Sequence, residues 1–352
     1  MDAALHDGEV RVGGDARQRF HDARGYGRPL GGDEIALAPV EAAHLLYRGD
    51  LERVDGMGFR AFLTSQGERF GPRFLVYLDL RDRGFYLSPA VEGWVQPSTG
   101  LDAAELEELD FVVYPRGKGP TDGAVAHRIR VVGERTDIPA ASLGDAVVAV
   151  VDEEGDLTYL ETTGFDPSGE TAVADLEPTS GTLLEDRVLV WDPPGPFHDR
   201  GFYGQPLEGR AAAFDVLHLS LVEAAYLAAQ GLLELADGGG VARLVDRGRA
   251  VEGERFDRRL RAYRALRNAG SVPKTGFKFG ADFRVYREVE SVDKLGHSEF
   301  LVRALPHEYV FSPRDLALDV RLAHGVRKRM VFALDGANGE TTRWLAVGRL
   351  TP

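Results

Sequence analysis

The 352-residue chain repeats itself. GYGRPL (25–30) returns as FYGQPL (202–207), each just after an FHD triplet that carries His21 or His198. LAPVEAAHLLYRG (37–49) returns as LSLVEAAYLAAQG (219–231), YLDLRDRG (77–84) as YRALRNAG (263–270), and FVVY (111–114) as FRVY (283–286). The spacing holds at roughly 170–190 residues, far too long for a solenoid repeat, so one unit of about half the chain has been duplicated.

Within the second unit, TLLEDRVLVW (182–191) alternates like one strand, and DPPGP ends it. LSLVEAAYLAAQG reads as a helix closed by Gly231, and ERFDRRLRAYRALRNAG as an amphipathic helix ending at Gly270. The strand-like ADFRVY, the polar loop REVESVDKLG and the strand-like HSEFLVRAL follow. SPRDLALDVRLAHG then has Ser312 as N-cap, Pro313 at the first helical position and Gly325 as C-cap. RKRMVFALD and TTRWLAVGRL flank the turn signal GANG and read as a terminal hairpin. The fold class is mixed α/β (α+β), a tandem duplication of a small mixed subdomain and a strand-rich one. The expected division is 1–68 and 69–165 for the first unit, a linker at 166–181, then 182–253 and 254–352 for the second.

Composition narrows the setting. Hydrophobic content of 43% suffices for buried cores, and no apolar run is long enough for a membrane helix. The acidic N-terminus MDAALHDGEV does not read as a signal peptide, so a cytoplasmic protein is expected. The absence of cysteine excludes disulfides, thiolate catalysis and Cys-based zinc sites. A net charge of -14 argues at first against a nucleic-acid partner. Acidic chains that prefer arginine to lysine are also suited to molar salt, where the Debye length is about 3 Å, so the charge reports the solvent as readily as the partner. The few lysines crowd oddly: Lys274, Lys278 and Lys294 lie in or beside TGFKFGADFRVY (275–286). That region either meets an anion or is a solvated loop.

Candidates for chemistry gather in the last quarter. Tyr286 ends one expected strand, His297 begins the next, and Lys328 starts the strand after the Gly325-capped helix. A phenol, an imidazole and an ammonium suit metal-free phosphodiester transfer, which needs a base, an acid and a cation for the phosphorane. Taken singly, each also fits an ordinary role: half-buried strand tyrosine, surface histidine, solvated lysine. An ordinary tyrosine, with a pKa of about 10, supplies little phenolate at neutral pH, and a nearby cation would favour the charged form.

RGFYGQPL, LSLVEAAYLAAQG, KTGFKFGADFRVY, HSEFLV and RLAHGVRKRMVFA, in this order and spacing, resemble the archaeal tRNA-splicing endonucleases of the two-repeat homodimeric type. The resemblance spans both halves and, with the composition, points to a halophilic archaeal source. It implies restriction-endonuclease-like strand-rich subdomains and an RNA-lyase-type tRNA-intron endonuclease acting on precursor tRNA at bulge-helix-bulge sites. Tyr286 then matches the general base for the ribose 2′-OH, His297 the acid for the departing 5′-oxygen, and Lys328 the cation for the transition state. The implied products are a 2′,3′-cyclic phosphate and a 5′-hydroxyl, with no metal and no cofactor. Arg321 and Trp344 match a pair that sandwiches a flipped bulge base, a contact worth about 1–3 kcal/mol per stacked base. Lys274 and Lys278 would lie where an RNA backbone could pass.

The resemblance also implies that the first unit is structural. Tyr114 sits at the position of Tyr286 and His127 near that of His297, while Asp145 replaces Lys328 and Tyr159 replaces Trp344. An acidic loop, Asp152, Glu153, Glu154 and Asp156, would dock on a partner chain, giving a homodimer with two catalytic sites. No membrane and no DNA partner are expected. Two alternatives stand. A metal-dependent nuclease would need a Glu-x-Lys frame, but Glu299 is followed by Leu301. A non-catalytic RNA-binding or scaffold subunit would have no use for the intact Tyr286, His297 and Lys328.

Overall fold

The duplication becomes a pseudo-twofold. A computed structural model describes residues 2–172, 175–207, 215–336 and 342–352. Its largest sheet has ten strands in the order Val272–Thr275, Phe283–Tyr286, Phe300–Leu305, Arg329–Asp335, Thr342–Leu350, then Leu157–Gly164, Ala146–Val151, His127–Gly133, Phe111–Val113 and Leu87–Pro89. Each half contributes five strands, and the two last strands of the halves meet antiparallel at the centre. Tyr159 opposes Ala149 in the first half as Trp344 opposes Ala333 in the second, so the two aromatics are equivalent. Thr162, three residues past Tyr159, pairs with Val347, three residues past Trp344, and the pseudo-axis passes through that pair. A two-strand bridge, Val310 with Pro139 and Phe311 with Ile138, ties the halves again.

The seam is a core as well as a ladder. Leu160, Thr162, Leu345 and Val347 are all nearly inaccessible. Thr162 satisfies its buried hydroxyl on the Ala146 carbonyl at 2.9 Å, so no polar atom is stranded there. Alternation along the strands sends Leu345 and Val347 to one face, under the Pro313–Gly325 helix, and Trp344 and Ala346 to the other, toward the Glu254–Asn268 helix.

Each half also carries a five-stranded sheet. The first has the order Arg28–Gly31, Glu34–Leu37, Glu9–Val12, Asp2–His6, Arg53–Val54. The second has Gln205–Pro206, Val216–Ser220, Arg187–Trp191, Thr179–Leu183, Leu233–Leu235. The expected single strand over 182–191 is therefore two antiparallel strands, because Glu185 and Asp186 turn the chain between them. The Gly240–Glu252 helix escaped the sequence reading; its opening glycines mask a buried Leu244 and a Gly248 against which Phe256 packs.

Helix ends follow the sequence in part. Ser220 caps the Leu221–Ala229 helix reciprocally with Glu223, and Gly231 leaves it at a φ of 73°. Ser312 accepts from the Asp315 N–H at 3.4 Å, with Pro313 at the first turn. Gly325 is the last helical residue rather than the left-handed cap, and Arg327 takes that conformation at φ 57°. The first half has only the short turn Ala140–Ser142 where the second builds this helix. The GANG turn lies largely outside the described residues. Between the halves, Gly169 and Glu170 donate to the Ala269 and Arg287 carbonyls at 2.8 and 2.7 Å, stitching the connection onto the second half. A Cβ on Gly169 would stand 2.4 Å from the Arg287 carbonyl.

Candidate active site

Strand register assembles the site. Val285 pairs with Phe300, and Phe300 with Arg329. One residue further out along the same row lie Tyr286, Glu299 and Lys328. At the usual strand separation the row measures about 10 Å from tyrosine to lysine. Alternation puts all three on the face of Leu301 and Met330, together with Arg284. The Gly276–Gly280 turn feeds this strand: a Cβ on Gly276 would meet the Ala281 carbonyl at 2.8 Å, and Gly280 sits at φ 68°.

Tyr286 is 5% exposed and packs with Phe202, Val272 and Val289. The Phe202 ring meets it edge-on at 5.6 Å, so RGFYGQPL positions the tyrosine from the smaller subdomain. The Tyr286 hydroxyl has no hydrogen-bond partner among the described residues. The Arg284 guanidinium lies 5.8 Å from its ring centroid. Lys328 donates through Nζ to the carbonyl of Ser298, next to His297, and its Nζ lies 5.8 Å from the Phe279 ring. Burial draws the Lys328 pKa below the usual lysine value; Glu299 raises it and Arg284 lowers it further. Those two were missed in the sequence, although Arg284 lies two residues before Tyr286 and so shares its face.

His297 differs from the expectation. It is exposed and lies in the loop before the strand, which starts only at Phe300. The Lys328 tether on Ser298 still holds that loop at the row. Lys274 is already committed inside the fold. It is 7% exposed and donates to Glu223 at 2.9 Å and to the Gly204 carbonyl at 2.8 Å. Of the two lysines expected near the RNA path, only Lys278 is exposed.

Arg321 lies on the exposed side of the Pro313–Gly325 helix, which covers one sheet face, whereas Trp344 packs against the other. One chain does not bring the two together. Asp152–Asp156 forms the turn at the end of the hairpin of Ala146–Val151 and Leu157–Gly164. The Asp152 carboxylate accepts from the N–H groups of Glu154 and Asp156 at 3.0 and 2.8 Å, and Glu153 pairs with Arg135. Glu153, Glu154 and Asp156 are exposed.

Register corrects two equivalences. Ile129 and Val302 hold matching positions, so Val147 matches Val331 and Gly144, not Asp145, stands at Lys328. Asp145 takes the place of Arg329. His127, opposite Val113, matches Phe300 rather than His297, and it sits edge-on to Phe85. The first half has no counterpart of Arg321, because the whole helix that carries Arg321 is absent there.

No described helix is long and apolar enough to cross a membrane. A family model described as tRNA intron endonuclease, catalytic C-terminal domain, matches residues 256–343. The companion N-terminal domain model matches 1–63 and again 179–245. A tRNA-splicing endonuclease of Halobacterium salinarum is 60% identical over 356 residues, covering 100% of both chains. One of Haloferax volcanii is 60% identical over 353 residues, again covering 100% of both. One of Methanosarcina mazei is 38% identical over 374 residues, covering 98% of both.

Proposed function

The chain belongs to the tRNA intron endonuclease family, and from that premise we propose that its second half cuts precursor tRNA by metal-independent transesterification. The observation that carries this is the row Tyr286–Glu299–Lys328, with Lys328 tethered beside His297. In this reading Tyr286 takes the proton of the ribose 2′-hydroxyl, whose oxygen attacks the adjacent phosphorus. The bond to the 5′-oxygen breaks, and His297 supplies the proton to that leaving oxygen. Lys328 and Arg284 meet the charge on the equatorial oxygens. The products are a 2′,3′-cyclic phosphate and a 5′-hydroxyl. His297 is exposed, so it can draw its proton from solvent.

Incubating the purified chain with an intron-containing precursor tRNA in EDTA, followed by end-group analysis, tests the reading. Excised intron with cyclic-phosphate and 5′-hydroxyl ends is expected. Cleavage that stops in EDTA would return the chemistry to a metal-dependent mechanism, and no cleavage would make the chain a scaffold or RNA-binding subunit.

The working form is proposed to be a homodimer. If Arg321 and Trp344 stack on one base, their opposite sheet faces require two copies. The exposed acidic turn at Asp152–Asp156 suits docking on that second copy. Reversing Glu153 and Glu154 together should weaken the dimer in sedimentation velocity, since like charges forced together cost several kcal/mol. Adding Asp152 should weaken it further, because its carboxylate also holds the turn. An unchanged dimer would refute the docking role.

A further inference from the structure

The Pro313–Gly325 helix, the start of the Arg329–Asp335 strand and the end of Thr342–Leu350 enclose an open groove of about 560 Å³. Its floor is apolar, with Met330 and Val347. Its walls carry His324, Arg327, Lys328, Arg329 and Arg349, and not one carboxylate. A larger groove along the N-terminal part of the same helix, near 860 Å³, is different: Arg255, Arg258 and Arg303 are matched there by Asp282, Asp315 and Asp319. In a chain of net charge -14, an unmatched cationic groove is out of character. Arg327, Arg329 and Arg349 are exposed, and none forms an ion pair or side-chain hydrogen bond among the described residues. Arg327 is held at φ 57°, a conformation arginine seldom adopts.

The duplicated half supplies the control. It keeps the strands that frame the groove but puts Leu143, Gly144 and Asp145 where Arg327, Lys328 and Arg329 stand, and Gly164 where Arg349 stands. It also lacks the helix that forms the other wall. The fold therefore does not need these cations. Lys328 lines the groove and also belongs to the proposed catalytic row, so whatever fills the groove continues into the site.

We propose that this groove binds the RNA sugar-phosphate backbone beside the scissile phosphate, with Arg327 and Arg349 as direct phosphate ligands. This rests on the nuclease reading above. An acidic segment of a second copy is the competing occupant, but seated here it would cover Lys328 and exclude the substrate. At high salt, long-range attraction is screened within a few ångströms, so only cations in direct contact with phosphates contribute.

The test uses the full-length chain and a precursor tRNA whose splice-site 2′-hydroxyls are replaced by hydrogen, which binds without being cut. Arg349→Gln and Arg327→Asn, the latter because asparagine tolerates the left-handed backbone, are titrated across salt. Each should weaken binding roughly fivefold or more and flatten the log K against log salt slope by roughly 0.7–0.9. Sedimentation velocity should show an unchanged oligomer. Variants that bind with the wild-type slope would overturn the groove while wild-type cleavage leaves the nuclease reading standing. A weakened oligomer with an unchanged slope would overturn it in favour of a protein partner. A wild-type chain that neither binds nor cuts the RNA would fail the nuclease reading itself.

Discussion

Tyr114 and Tyr286 occupy the same place on equivalent strands, and their surroundings have diverged. The Tyr114 hydroxyl is buried and donates to Ser88 at 3.0 Å, and burial raises its pKa. Tyr286 has no such partner, an arginine over its ring and a lysine along its row. The position equivalent to Lys328 is a glycine. Tyr159, equivalent to Trp344, spends its hydroxyl on Asp79 at 2.7 Å. One backbone thus supports two outcomes, and the difference lies in which polar groups are already used. In the first half they are consumed by the fold; in the second the Tyr286 hydroxyl is bonded to no described residue at the end of its strand.

The sharpest way to break this comparison is Tyr286→Phe. It should cut single-turnover cleavage by about 10²–10⁴-fold while binding of the uncleavable RNA is retained. Full activity would remove the base assignment. Lys328→Ala should cost about 10²–10³-fold, the usual scale for one lost transition-state donor. A variant that loses binding in proportion to rate would show instead that Lys328 holds ground-state substrate.

A second contrast lies beneath the site. Glu223 and Glu41 are equivalent helix-start carboxylates, each accepting backbone N–H bonds from the preceding glycine-containing turn. Glu223 also has Lys274, which helps lower its pKa against burial. Register puts Ser88 where Lys274 stands, so Glu41 has no lysine and burial pushes it up to about 7, against the N–H groups of Gly27 and Ala38 and the charge of Arg81. Lys274→Met strands a buried carboxylate and should cost about 3–5 kcal/mol in denaturant unfolding. A loss below about 1 kcal/mol would mean the pair carries little.

For Glu41 the sign is fixed by the direction of its shift. The folded state holds its proton more tightly than the unfolded chain, whose ordinary value is 4.5, so its contribution is full below 4.5 and lost as pH rises through about 7. His44, lowered by burial to about 4, acts oppositely, and its penalty disappears by pH 6.5. Tyr26, Tyr77 and Arg81 complete this cluster. The two slopes oppose each other between 4.5 and 6.5, and Glu41 alone acts above that. Glu41→Gln should remove the upper-range loss, on the order of 3 kcal/mol in full, and leave stability rising through the His44 window. An unchanged pH profile would put the titration elsewhere.

How much of this was legible in the sequence depends on the range of the interaction. The repeat, the cap at Ser312 and the helices of 219–231 and 254–270 are local signals, and they read correctly; the Ser220 cap is equally local but was not read. The row of Tyr286, Glu299 and Lys328 depends on which strands are neighbours, so only the resemblance could bring Tyr286 and Lys328 together in advance. The pairing of Lys274 with Glu223 was not legible because nothing local distinguishes a solvated lysine from one whose carboxylate arrives from a distant helix. Asp145 was misaligned by one residue because the first half has lost a helix just before that strand, and a one-residue slip in a strand changes the face.

The smallest predicted effect is the one that tests the comparison most directly. Tyr114→Phe removes the bond to Ser88 in a fully packed strand, leaving the shape intact. It should lower stability by about 1 kcal/mol, the net value of one such hydrogen bond, with Ser88 able to turn its hydroxyl elsewhere. Cleavage per folded molecule should not change. The same substitution at Tyr286 has the opposite profile, large in rate and slight in stability, because its hydroxyl bonds to no described residue. A Tyr114→Phe chain that lost cleavage while staying folded would mean that the first half takes part in the chemistry, and the division between a structural and a catalytic half would fall.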